Sequence, residues 1–182
     1  MKRIVLTFGL IAGAIVAVMM SITLTLIDRG KLGHSEVIGY TTMVLAFVMV
    51  FVGIRSYREN VGGGKITFGK AFQVGILITL ICCVVYVVTW EIIYFNFMPD
   101  FATKYATHVV DKMRASGASP AALAAKQQEM ASFQKLYANP LINVGMTFME
   151  IFPVGLIITL LSAAVLRKKA VPDAPSGATA LA

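Results

Sequence analysis

Between Ala71 and Met98 the chain reads AFQVGILITLICCVVYVVTWEIIYFNFM, twenty-eight residues with a single charge, Glu91. A bilayer core about 30 Å thick is crossed by roughly 20 apolar residues in a helix. Within that core every backbone polar group must be satisfied internally, which leaves helices or closed barrels. The run is too long and too evenly apolar for the short alternating strands of a barrel. Three further segments share this character: Ile4–Ile27, Val37–Ile54 and Leu141–Leu166. The expected fold is all-α, a polytopic membrane protein with four transmembrane helices.

Composition agrees. Of 182 residues, 58% are hydrophobic and only 14% charged, too apolar for an ordinary soluble domain. The net charge of +7 gathers at segment ends. That pattern suits anionic lipid headgroups as partner rather than nucleic acid, for which a basic stripe interleaved with aromatics would be needed. Cys82 and Cys83 are adjacent and point to different helix faces, so they read as packing residues rather than a disulfide. The apolar run after Lys2 and Arg3 is twenty-four residues, longer than the roughly 7–15 of a signal peptide.

Lys and Arg set the expected orientation. Nine lie on one side, at Lys2, Arg3, Arg55, Arg58, Lys65, Lys70, Arg167, Lys168 and Lys169. Seven lie on the other, at Arg29, Lys31, Lys104, Lys112, Arg114, Lys126 and Lys135, diluted by acids and by longer connections. Both termini are expected in the cytoplasm of a bacterial inner membrane. The transmembrane domain covers residues 1–169, with an insertion at 99–140, and a small, Pro-containing tail at 170–182 reads as disordered and cytoplasmic.

The insertion reads as an extracytoplasmic helical hairpin between the third and fourth spans. Asp100–Ala115 carries Phe101, Tyr105, Val109 and Met113 at successive fourth positions. Ser116-Gly117-Ala118-Ser119-Pro120 breaks the pattern, with Ser119 as N-cap and Pro120 as first helical residue. Ala121–Tyr137 follows, with Leu123, Met130, Phe133 and Tyr137 on one stripe, and Asn139-Pro140 ends it. The hairpin either packs on itself with no binding role, lies on the bilayer, or forms a lid over the bundle.

Lipid supplies no hydrophobic drive for helix association, so close packing must hold the bundle. Gly9, Gly13, Ala17 and Ser21 are four apart in the first segment. Ala71, Gly75, Thr79 and Cys83 repeat that spacing in the third, and Gly155, Thr159 and Ala163 in the fourth. Gly39, Ala46 and Gly53 recur every seven residues in the second. These faces serve close packing within the chain, self-association into a homo-oligomer, or both.

Glu91 and Glu150 are the candidate proton or ion site. Glu91 lies seven residues before Met98 and Glu150 nine after Leu141. At 1.5 Å per residue both would sit about 10–14 Å inside their segment ends, at similar depth in antiparallel neighbours. A charge there costs several kcal/mol unless paired or wet, on the order of 3 kcal/mol on insertion scales. No Lys, Arg or His lies inside an apolar segment. The two carboxyls would be protonated, share a proton, face water or bind a cation. The structural alternative is a hydrogen bond to a tyrosine or a freed backbone carbonyl. Trp90, Tyr94 and Phe95 beside Glu91 suit an interfacial belt, and Pro153 weakens the helix near Glu150.

Gly62-Gly63-Gly64-Lys65-Ile66-Thr67 is not a phosphate loop. Ile66 stands where Ser or Thr must follow the Lys, and a strand and helix should flank the loop. A flexible cytoplasmic turn is expected instead. No metal-ligand spacing and no nucleophile motif occurs, so neither a metal, a cofactor nor catalytic residues are expected. An enzyme would have to use Asp100, His108 and Asp111 at the outer interface.

The stretch Gly64-Lys-Ile-Thr-Phe-Gly-Lys-Ala-Phe-Gln-Val-Gly75 resembles the entry to the third helix of the bacterial membrane family known as domain of unknown function 4199. Tyr94-Phe-Asn-Phe-Met-Pro-Asp-Phe101 resembles its aromatic–Pro–acidic exit, although Met98-Pro99-Asp100 departs from the expected Ile-Asp-Pro-like order. The Met-, Gln- and Glu-rich hairpin and the Gly155-Leu-Ile-Ile-Thr-Leu helix ending in Arg-Lys-Lys also fit. The resemblance spans roughly residues 1–169 and implies a four-helix integral membrane protein with no catalytic residues.

The leading expectation is thus a non-enzymatic membrane protein that packs with itself or with a membrane partner. The alternative is a small oligomeric proton-linked transporter using Glu91 and Glu150.

Overall fold

The computed structural model describes residues 1–28 and 36–168. The expected tail and most of the first connection, including His34, lie outside the described residues. Six helices form among those described: α1 Lys2–Asp28, α2 Glu36–Asn60, α3 Phe68–Asn96, α4 Phe101–Ala115, α5 Pro120–Tyr137 and α6 Pro140–Leu166. Four of them, α1, α2, α3 and α6, are long and apolar enough to cross a membrane. They run alternately up and down, and the bundle order is α1–α2–α6–α3, with α2 and α3 also touching across the diagonal. The α4–α5 hairpin caps one end. The chain's first residues and the end of α6 share the other.

Local sequence sets the boundaries. The Thr67 hydroxyl accepts from the Lys70 N–H and starts α3. Ser119 caps α5 through the Ala122 N–H, with Pro120 at the first helical position. Asn139 caps α6 through the Leu141 N–H, ahead of Pro140. In each case a side-chain oxygen satisfies a donor that the first helical turn leaves unpaired. Gly117 has φ of +81°, where glycine avoids the clash of a Cβ, and it ends α4. The hairpin is as expected in its elements but differs in register on α4. The buried stripe is Ala102, Ala106 and Val110, one position along from Phe101, Tyr105 and Val109, because small residues let α5 approach closely.

The glycine faces are used inside the bundle. A Cβ on Gly9 would meet the Ile81 side chain at 2.8 Å, and one on Gly13 would meet Val85 at 2.7 Å, so both seat α1 on α3. Gly75 faces Ile54 of α2 and Thr159 of α6, each at 2.8 Å. Gly155 faces Thr79 at 2.5 Å and Phe47 at 2.6 Å. Ala17 is only half-buried. Between these contacts Phe47, Val50, Ile54, Val74, Ile78 and Ile151 are fully buried. The Thr79 and Thr159 hydroxyls meet at 2.8 Å and join α3 to α6. Cys82 and Cys83 are buried free thiols. The outward side chains are apolar too, among them Leu45, Val84, Leu161 and Val165, as lipid-facing residues must be.

The turn between α2 and α3 is built rather than loose. Gly62 and Val61 donate to the Tyr57 carbonyl, Gly64 to that of Arg58, and Lys65 to that of Gly62. Ile66 pairs with Lys168 through backbone hydrogen bonds of 3.1 and 2.9 Å. The N–H groups that a phosphate would need are thus consumed by the chain itself. Helix α2 runs past the apolar segment to Asn60, since Arg55, Ser56, Tyr57 and Arg58 are acceptable helix formers where hydropathy has ended.

Candidate functional site

At the hairpin end the four spans part and enclose a cavity of about 600 Å³. That volume lies in the range of small-molecule sites, roughly 300–1,000 Å³. The walls come from all six helices. From the spans, the deepest lining residues are Val16, Met43, Tyr86 and Glu150. Glu150 is ten residues into α6, about 15 Å from its start. Met20, Thr23 and Leu24 of α1 line one side, and Tyr40 and Thr42 of α2 another. The hairpin closes over them with Phe101, Tyr105, His108 and Lys112 of α4 and Phe133 and Tyr137 of α5. Below this cavity the bundle is solid, through Phe47, Val50, Val74 and Ile78.

An aromatic cluster seats the roof. The Trp90 ring meets Phe101 edge to face with centroids 4.8 Å apart. Tyr137 meets Tyr94 edge to face at 5.4 Å and Phe133 at 5.0 Å. Such pairs add about 0.5–1.5 kcal/mol beyond the area they bury. Burial pushes the Tyr137 hydroxyl above the usual tyrosine range and keeps it neutral.

Beneath the aromatics lies a polar line. The Trp90 Nε1–H donates to Asn143 Oδ1 at 3.1 Å, and the Thr147 hydroxyl donates to the same oxygen at 3.2 Å. The Asn143 amide donates to the Tyr137 carbonyl at 3.4 Å. Asn143 is fully buried, so this set accounts for polar atoms that would otherwise be costly. Asn143, Thr147 and Glu150 stand at i, i+4 and i+7 and share one face of α6. The Tyr86 hydroxyl and the Glu150 carboxyl lie near each other on the cavity wall. Residues Tyr86, Asn143 and Thr147 were not among the sequence candidates. The i, i+4, i+7 spacing of polar groups on an apolar helix was the signal that could have found them.

Glu91 is elsewhere. It follows Val84 by seven residues and Val88 by three, on the stripe of α3 that also exposes Leu80 and Ile92. It does not line the cavity, and its Oε1 is buried without a hydrogen-bond partner. The two glutamates are therefore not brought together: Glu150 lines the cavity, and half-buried Glu91, level with Asn143 rather than with Glu150, does not. Asp100 pairs with Lys104 at 3.0 Å and Asp111 pairs with Arg114, both at exposed positions. His108 lines the cavity. No group of three His, Cys, Asp or Glu suited to a metal ion occurs among the described residues.

No curated protein and no solved structure matches this chain. Residues 7–168, spanning every helix described above, match the family described as "Protein of unknown function (DUF4199)", and the chain belongs to that family.

Proposed function

We propose that this is a non-enzymatic integral membrane protein that binds a small molecule in the cavity beneath its helical hairpin. One observation carries the reading: a cavity of about 600 Å³ is largely apolar, yet polar groups from α3 and α6 converge at its depth. Apolar walls with a few placed polar groups are the usual composition of a ligand site. The charge count favours a plasma-membrane orientation with both termini in the cytoplasm and the hairpin outside, so the ligand would enter from the extracytoplasmic side.

Self-association is a separate matter. The faces of Gly9, Gly13, Gly75 and Gly155 are engaged within the chain, so a homo-oligomer or a membrane partner would use another face. Proton-linked permeation is the second reading, supported by the position of Glu150 midway along its span. The closely packed inner half means such a function would require the helices to move.

Trp90 is the one tryptophan of the chain and lines the cavity, so its fluorescence reports occupancy. The test is energy transfer from Trp90 to the neutral apolar fluorophore N-phenyl-1-naphthylamine, with the full chain in nanodiscs. Gly39 lines the cavity and a Cβ there meets nothing within 4 Å, so Gly39→Phe reduces the space without a clash. Saturable transfer in the wild type, reduced in Gly39→Phe with helical content unchanged, supports the reading. Equal transfer in both proteins refutes it.

A further inference from the structure

We infer that the molecule held in this cavity is a monovalent hydrophobic organic cation, with Glu150 as its counter-ion. The inference rests on the ligand-binding reading above and adds the chemistry of the ligand.

Among the described residues that line the cavity Glu150 is the one acid, and the side chain that stands near it is a hydroxyl, that of Tyr86, not a base. In the described spans the basic residues Lys2, Arg3, Arg55, Arg58 and Lys70 all lie at the opposite end of the bundle. A carboxylate at that depth of the bundle is stabilised by a positive partner, and the described spans supply none there. The two basic residues of the cavity, His108 and Lys112, belong to the hairpin and are exposed. Glu150 is exposed as well, but it stands at the deep end of the cavity while these two stand at the hairpin end, so the carboxyl is the nearer charge for a molecule seated among the spans.

The neighbourhood of Glu150 selects among cations. A bare sodium, potassium or calcium ion needs about six to eight oxygen ligands. Here the carboxyl is joined by the Tyr86 hydroxyl and by Thr147, whose proton is already given to Asn143. That set is too small for a dehydrated inorganic ion. Tyr40, Tyr86, Trp90, Phe101 and Tyr105 instead present aromatic surface to the cavity. Ring faces attract cations, more strongly when these are desolvated. Met19, Met20, Leu24 and Met43 offer adaptable apolar contact on the α1–α2 side. Together these favour a cation whose charge is spread over, or shielded by, aryl or alkyl groups. A single carboxylate limits the charge to one.

Proton and cation then compete for one carboxyl. Raising the pH strengthens cation binding until Glu150 is fully ionised, after which affinity levels off. His108 and Lys112 are the basic groups that face the cavity. Tyr40, Tyr86, Tyr105 and Tyr137 complete the titratable groups of the cavity.

The experiment is equilibrium binding of radiolabelled tetraphenylphosphonium to the full chain in nanodiscs, with empty discs as background, from about pH 5 to about pH 8. Tetraphenylborate, the same shape with the opposite charge, and the neutral naphthylamine probe serve as comparisons. Saturable binding is expected that strengthens with pH. Glu150→Gln keeps the size and polarity of the side chain and should weaken binding at least about 30-fold, removing the pH dependence. Glu91→Gln should stay within about threefold of the wild type, and His108→Gln should retain the rise with pH. Equal binding by Glu150→Gln, or equal binding of tetraphenylborate, overturns the inference. If the cation fails to bind while the neutral probe still occupies the cavity, the cation inference falls and the ligand-binding reading stands. If neither enters, both fall.

Discussion

Trp90 of α3 and Asn143 of α6 meet through a 3.1 Å hydrogen bond from the indole N–H to the amide oxygen. They do so where the spans end and the hairpin begins. The bond fixes the indole against Phe101, and Asn143 in turn reaches the carbonyl of Tyr137, the last residue of α5. One buried amide thus ties together two spans and the roof.

Asn143→Leu should therefore leave the Trp90 N–H without an acceptor and the Tyr137 carbonyl without its donor. The expected cost is about 1–3 kcal/mol. The readouts are the unfolding midpoint in mixed detergent and the Trp90 emission maximum. An unchanged emission spectrum together with unchanged stability would show that this bond does not hold the roof.

Gly13→Leu should destabilise the fold itself. Its Cβ would fall 2.7 Å from Val85 Cβ, so α1 must move away from α3, at about 1–3 kcal/mol for overpacking. Gly39→Leu meets open space and should be near neutral. A Gly13→Leu protein that unfolds like the wild type but changes its oligomeric state would mean that this face serves a neighbouring chain instead.

Thr79 and Thr159 form the buried pair between α3 and α6. Each single Val substitution strands one hydroxyl and should cost about 0.6–1.7 kcal/mol, as is usual for hydrogen bonds between membrane helices. The double substitution removes both partners and should cost less than the sum of the singles. Strict additivity in the cycle would show the two hydroxyls to be energetically independent.

Carbodiimide labelling, which modifies protonated carboxyls in apolar surroundings, should separate the two intramembrane glutamates. With peptides mapped by mass spectrometry, labelling of Glu150 should fall when the naphthylamine probe is present and in Gly39→Phe. Labelling of Glu91, on another stripe of α3, should respond to neither. Parallel protection of both residues would contradict the separation seen in the structure.

The four spans and the hairpin were legible because each carries a strong local signal: unbroken apolar length for the spans, and caps at Ser119 and Asn139 for the hairpin. The ends were less so. Helix α2 continues six residues beyond Ile54 to Asn60, since hydropathy marks the edge of the apolar zone and backbone hydrogen bonding does not stop there. Neither level nor direction was readable for Glu91 and Glu150: instead of lying level, Glu91 is next to Trp90, which bonds Asn143, seven residues before Glu150 on α6. Trp90 and Glu91 are neighbours in sequence, about 100° apart around the helix, and that rotation puts one on the cavity wall and the other off it. The partner of Glu150 was hidden for a different reason. Tyr86 reads as one more apolar aromatic in α3, and its hydroxyl acquires a role only when α6 lies alongside. Gly9, Gly13, Gly75 and Gly155 were plain as close-packing positions, but which helix each would meet depends on the order of spans around the bundle, which is not a local property.

The buried side chains fall into separate clusters, one among the spans, one around Trp90, Tyr94, Ala102 and Tyr137, and one between α4 and α5 around Ala106, Val110 and Met130. Free energy of opening is accordingly not uniform along the chain. The α4–α5 pair can lift as a cooperative unit by exposing its aromatic seat, while the packed glycine contacts of the spans stay closed. Amide protons of α4 and α5 should thus exchange with solvent on a faster tier than those of α3 and α6, and anything lodged under the roof would slow the first tier and leave the second unchanged. Equal exchange in all four helices would show instead that the hairpin and the spans open together.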